Sequence, residues 1–427
     1  MKNLTGRFNS GGKTRLIENF ISLSFLRGIN YILPLITLPY LTRILGVEKF
    51  GLVMFAQAFV WYFMNISDYG FYLSATREIA VNRDDRNAVD IIFSSVIFIK
   101  LALATAGFLS LGVIVFAFAK FRPDWILYLT TYGMVFGYTI FPEWFFQGME
   151  RMKYITIINL TAKSLFTISI FIFVRRAADY NLVPILNSLG FLVAGLIGLT
   201  VAFRQFKVRL FWPGMENIKG RLKDGFHIFI TGLMPQLYNN SATFILGLLT
   251  NNILVGYYAA ASKVMEALNS IIYIISQTFF PYLNRQLSDH RSFRNIIIGT
   301  GLIISVFVFW QARFLVGVIF GAGYESSIIL LRILSFSPIL IAIIVCYGTN
   351  YLLIIKEDRL YLKITMTASL AGFASAWFLI PWLGHIGAAI NIVLARGLLA
   401  GLTFRATRRF SSTRMEVANN AEAAKVH

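Results

Sequence analysis

The sequence predicts an all-α integral membrane protein of about twelve transmembrane helices, in two six-helix lobes with a central cavity. Three observations carry the all-α membrane class; the lobes rest on an internal similarity, and the central cavity on intramembrane charges and a family resemblance given below. Of the 427 residues, 57% are hydrophobic and 14% are charged, about half the charged share of an ordinary soluble domain. The apolar residues come in blocks of about 18 or more, the length of a membrane-spanning helix. Lipid accepts only helices or closed barrels. Blocks such as 91–118 are too long and too continuous for barrel strands of about ten alternating residues.

The first fifteen residues are polar and basic, and we read 1–15 as a cytoplasmic segment. It does not resemble a cleaved signal, because the following apolar block is long and has no small-residue cleavage site. Candidate spans follow at 17–40, 50–73, 89–118, 123–147, 154–174, 182–203, 226–249, 253–281, 296–319, 326–354, 360–383 and 386–407. The longest polar connection, 204–225, is a basic linker between an N-terminal lobe (16–203) and a C-terminal lobe (226–407). Residues 408–427 read as a disordered cytoplasmic tail.

The lobes are weakly similar to each other. Gly46-Val47-Glu48-Lys49-Phe50-Gly51 answers to Asn251-Asn252-Ile253-Leu254-Val255-Gly256. Glu150-Arg151-Met152-Lys153-Tyr154 answers to Glu357-Asp358-Arg359-Leu360-Tyr361 at nearly the same offset. Paired halves with a site near the bilayer midplane are a common transporter plan.

Net charge is +19. The bases are read as markers of cytoplasmic loops rather than of nucleic-acid binding. Assigning the termini and even-numbered connections to one side leaves only Arg43, Lys49, Lys120, Arg122, Arg175 and Arg176 on the other. This expectation puts both termini in the cytoplasm of a multi-pass inner-membrane protein.

Charges inside spans point to the site. Arg27, Lys100, Lys163, Lys263 and Arg396 fall near mid-span, where a base costs about 2.5–3.5 kcal/mol. They are the candidate substrate-binding residues, lining a cationic cavity that suits an anionic cargo. Arg313 and Arg332 lie nearer span ends and can snorkel. Lys263 and Glu266, three residues apart, can alternatively neutralise each other, and Lys100 can lie nearer a span end than the boundaries suggest. Asp68, Glu78 and Glu143, near cytoplasmic ends, read either as caps and surface ion pairs or, with Glu266, as a gate or ion-coupling set.

Several chemistries lack their residues. There is no P-loop, no His-Glu-x-x-His, and one cysteine, Cys346. No metal site, cofactor or enzyme activity is expected. No large loop is available to hold a catalytic centre.

Certain strings carry a family resemblance. Asn30-Tyr31-Ile32-Leu33-Pro34-Leu35-Ile36-Thr37-Leu38-Pro39-Tyr40-Leu41-Thr42-Arg43-Ile44-Leu45-Gly46 resembles the first span of bacterial O-antigen transporters, the Wzx flippases. Asp68-Tyr69-Gly70-Phe71, Arg77-Glu78-Ile79-Ala80 and the run from Trp144 to Tyr154 do so too. So do Asp224-Gly225-Phe226-His227-Ile228-Phe229-Ile230 and Gly321-Ala322-Gly323-Tyr324. The resemblance covers about 16–407. It implies movement of undecaprenyl-pyrophosphate-linked oligosaccharide to the periplasmic leaflet by alternating access, with coupling to an H+ or Na+ gradient. Partners would be the lipid-linked oligosaccharide, membrane lipid and other polysaccharide-assembly membrane proteins. Competing readings are a multidrug or small-solute antiporter, which predicts core carboxylates, and a membrane polysaccharide polymerase or an assembly scaffold. A polymerase would need a large periplasmic loop.

Overall fold

The computed structural model describes the backbone of residues 10–285 and 287–423. It describes side chains within 35–408, apart from 227, 231, 234–240, 286 and 288. Among the described residues there is no strand. Thirteen α-helices follow one another: α1 (Ser10–Asp68), α2 (Phe71–Asn82), α3 (Arg86–Ala117), α4 (Trp125–Ile140), α5 (Glu143–Gly148), α6 (Met152–Phe173), α7 (Leu182–Gln205), α8 (Met215–Leu249), α9 (Asn252–Arg285), α10 (His290–Ile319), α11 (Ser326–Leu334), α12 (Ser337–Ile344) and α13 (Asp358–Ala423).

Among the described residues, seven stretches are long and apolar enough to cross a membrane, and the chain is a multi-pass membrane protein. Two of those stretches, Leu35–Asn82 and Asp358–Arg408, contain a break at a glycine and so hold two spans each. The break in α1 is Gly46 (φ 69°, ψ 171°) and that in α13 is Gly384 (φ 56°, ψ −130°). Only glycine adopts such angles cheaply, so one residue suffices to separate consecutive spans. Adding α4, α8 and α9 gives the expected twelve. α4 is short because Pro142 ends it, and α5 continues the path. α9 is amphipathic, carrying Lys263 and Glu266 in its middle.

The chain forms two compact units, Met1–Leu233 and Met234–His427. The polar connection between lobes is shorter than 204–225, because α7 runs to Gln205 and α8 already begins at Met215. The first part of α8 thus belongs to the N-terminal unit. α13 continues to Ala423, through much of the segment read as a disordered tail. Its closing residues include Ala, Glu, Met and Arg, which favour helix.

In the N-terminal unit, α4 and α7 meet at their glycines. A methyl group on Gly137 would sit 2.4 Å from the carbonyl carbon of Phe191, and one on Gly195 would sit 2.7 Å from the carbonyl oxygen of Gly137. Such small-residue contacts let backbones approach closely in membranes. Nearby, Phe93, Trp144, Phe145 and Phe146 form a buried aromatic core. In the C-terminal unit, α11 and α12 are separated by two residues, with Pro338 in the first turn of α12. A π-helical stretch, Val345–Leu352, then carries the chain toward α13.

Candidate functional site

Each unit holds its own cluster of intramembrane charge. In the N-terminal unit α1 ends at Asp68, because Tyr69 and Gly70 both take positive φ (50° and 75°) and turn the chain into α2. This leaves the Asp68 carboxylate beside α3. Lys100 Nζ lies 3.0 Å from Asp68 Oδ1, and its side chain is only 2% exposed. The Tyr138 hydroxyl of α4 donates to the same oxygen at 3.4 Å. The ammonium also stands 4.8 Å from the centre of the Tyr138 ring, within cation–π range.

Pro142 breaks the α4 path and places Glu143 in the first turn of α5. Asp68, Lys100 and Lys163 of α6 all lie within electrostatic reach of Glu143. Four of the predicted residues therefore come together: Asp68, Lys100, Glu143 and Lys163. Two carboxylates face two ammonium groups, so the group is formally balanced. That balance differs from the strongly cationic lining expected from the sequence. Asp68 and Glu143 had been placed near span ends, and helix turns bring them to the bases.

In the C-terminal unit Lys263 Nζ lies 2.8 Å from Glu266 Oε2, with both side chains almost half exposed. The intrahelical pairing left open by the sequence is the one observed. The Tyr258 hydroxyl, about two turns before Glu266 on α9, lies within electrostatic reach of both Glu266 and Arg396 of α13. Those four residues form the second cluster. Arg27 lies on α1, and its side chain falls outside the described residues.

Glu78 stands apart. It is ion-paired with Arg221 from the start of α8. The Tyr69 hydroxyl donates to the Leu222 carbonyl at 3.0 Å, and the Tyr69 ring stacks on Phe229 with centroids 5.1 Å apart. The first part of α8 is thereby fastened to the α1–α2 corner.

Two features were not anticipated. Tyr138 has no charge to draw notice in sequence. Asn350, fully buried in the π-helical stretch, donates to Ser276 Oγ at 2.6 Å while its Oδ1 has no partner. A π-helical insertion often marks a functional position, but nothing in a single sequence signals it. A cavity of about 510 Å³ lies elsewhere in the N-terminal unit, between Arg83, Asp84, Met149, Arg151, Tyr154 and Phe206. None of the candidate residues lines it. Among the described residues, no three His, Cys, Asp or Glu side chains are grouped to hold a metal.

Residues 16–287 match the family described as polysaccharide biosynthesis protein. The chain belongs to that family. It is 31% identical over 398 residues to a relative from Escherichia coli (strain K12) named "Putative O-antigen transporter", covering 91% of this chain and 96% of the relative. A relative of the same name from Shigella dysenteriae is 25% identical, covering 92% and 100%. Among solved structures, the lipid II flippase MurJ in an inward-closed conformation superposes with a TM-score of 0.71 at 14% identity, covering 92% of this chain and 87% of that one. An inward-facing multidrug resistance transporter of the MATE family, in the MOP superfamily, gives 0.69 at 16% identity, covering 90% and 96%. These superpositions establish a shared membrane-transporter fold for the polysaccharide biosynthesis protein.

Proposed function

We propose that this protein is a flippase for lipid-linked oligosaccharide, the repeat unit of O-antigen or a similar surface polysaccharide. The observation that carries this reading is the 31% identity, over nearly the full length of both chains, to a relative named "Putative O-antigen transporter". Fold likeness to a lipid II flippase is in keeping with it. The direction is from the cytoplasmic to the periplasmic leaflet by alternating access, with both termini cytoplasmic.

The lipid carrier is undecaprenyl pyrophosphate, whose charge suits intramembrane bases. Arg27 and Arg396 grip phosphate oxygens bidentately, and Lys100, Lys163 and Lys263 act as point charges. Asp68 is paired with Lys100 and Glu266 with Lys263. An arriving pyrophosphate competes with those carboxylates, and H+ or Na+ taken up by a displaced acid supplies the coupling. Asp68, Glu143 and Glu266 are the coupling acids, and Glu78 holds a gate. No covalent step or bound cofactor is required.

The test is transbilayer movement of a labelled lipid-linked glycan in proteoliposomes. Protein-dependent flipping is expected. Movement no faster than in protein-free liposomes overturns the reading, and export of organic cations instead would favour the antiporter.

A further inference from the structure

The connection between α7 and α8 runs along α3 in a regular way. Arg86 Nη2 donates to the Lys207 carbonyl at 2.9 Å. The Arg209 amide donates to Asp90 Oδ1 at 2.9 Å. The Phe211 amide donates to Ser94 Oγ at 3.2 Å, and Ser94 Oγ donates to the Arg209 carbonyl at 3.2 Å. Finally the Trp212 ring meets Phe98 edge-on, with centroids 5.4 Å apart. Residues 86, 90, 94 and 98 form one stripe of α3 at one-turn intervals. Along it the non-helical segment from Lys207 to Trp212 descends about 18 Å at 1.5 Å per helical residue.

That descent passes from the exposed, polar start of α3 into its apolar run. Non-helical backbone is excluded from lipid unless its amides and carbonyls are satisfied. Asp90 (6% exposed) and Ser94 (0%) supply partners for it, which explains why these two polar side chains are buried on this face of α3. Val208 turns into the core, while Leu210, Phe211, Trp212 and, at the start of α8, Met215 face outward at 43–58% exposed. Lys207 and Arg209 lie at its shallow end.

We propose that 207–215 is a re-entrant membrane anchor. Its apolar side chains sit at the headgroup–acyl boundary beside α3, and Lys207 and Arg209 hold the phosphates of anionic phospholipid. Tryptophan prefers that boundary, and bases near it attract anionic lipid. The anchor fixes the connection between the two units to the bilayer, whatever cargo the protein carries.

The test uses full-length protein with Trp212→Cys in a Cys346→Ser background, spin-labelled and reconstituted in phosphatidylglycerol–phosphatidylcholine vesicles. The expected result is higher collision with oxygen than with a water-soluble nickel complex. Asp90→Asn with Ser94→Ala should reverse that order. Greater nickel than oxygen access in the parent protein overturns the anchor, and this reading does not depend on whether the double variant folds. Spin-labelled phosphatidylglycerol should be retained by the protein over phosphatidylcholine, and Lys207→Gln and Arg209→Gln should each lower that preference about fivefold, equivalent to ~1 kcal/mol per base. Equal retention of both lipids by the parent protein overturns the headgroup assignment.

Discussion

The Lys100 ammonium lies 3.0 Å from the Asp68 carboxylate, inside a membrane helix bundle and almost wholly shielded. These residues come from different helices, with the Tyr138 hydroxyl and ring completing the enclosure. Breaking a buried pair on one side leaves an uncompensated charge, which costs about 3–5 kcal/mol, whereas removing both partners is often nearly neutral.

Asp68→Asn and Lys100→Met, made singly, should therefore each lower thermal stability in detergent strongly. The double variant should recover most of the loss. A double-mutant cycle from thermal unfolding checks this. Additive losses would mean that the two groups do not act as a pair.

Gly46 and Gly384 give a cleaner backbone experiment. Nothing lies within 4 Å of where a Cβ on Gly46 would be placed. Gly46→Ala therefore tests the dihedral angle alone, and should cost about 1–3 kcal/mol. Alanine at Gly384 should cost a similar amount, because its Cβ meets only ordinary contact, Leu254 Cδ1 at 3.4 Å. Unchanged melting temperatures in both variants would refute these angles.

The function proposed above makes a separate demand. Arg27→Gln and Arg396→Gln should each reduce surface polysaccharide about tenfold or more, as expected for losing a hydrogen bond to a charged ligand. Membrane expression should persist. Immunoblots of polysaccharide and of the tagged protein check both points, and normal polysaccharide in both variants would sink the site assignment.

The 174–181 connection should respond to pH. Asp179 accepts hydrogen bonds from the Arg175 and Arg176 amides, each at 3.1 Å. The Arg175 amide is the largest influence, and these bonds hold the carboxyl below its usual range. A depressed carboxyl stabilises the folded loop fully above the ordinary carboxylate pKa. That contribution is lost as pH falls through the lowered folded value. The protection factors of the Arg175 and Arg176 amides, each referred to the intrinsic exchange rate at the same pH, should be high at neutral pH and fall in acid, and should be low at both in Asp179→Asn.

Much of the helical pattern was legible because lipid imposes it: an apolar block long enough to span has few alternatives. The pairing of charges was only partly so. Lys263 and Glu266 share a helix face, and spacing alone made their contact foreseeable. Asp68 reaches Lys100 through the left-handed turn at Tyr69 and Gly70, and a tertiary contact of that kind leaves no periodic trace. The anchoring role of Asp90 and Ser94 was hidden for the same reason. Each looks like an isolated polar residue in an apolar run until the strap is laid against it.

The two single-glycine joints have a practical consequence for work on this protein. At Gly46 and Gly384 consecutive spans share one residue, so no slack polypeptide is available there. An epitope, reporter or protease site inserted at either joint would fall in the single residue that separates two spans rather than lengthen a loop. Probes meant for that face belong instead in 118–124, 174–181 or 320–325, where the chain leaves its long helices between spans.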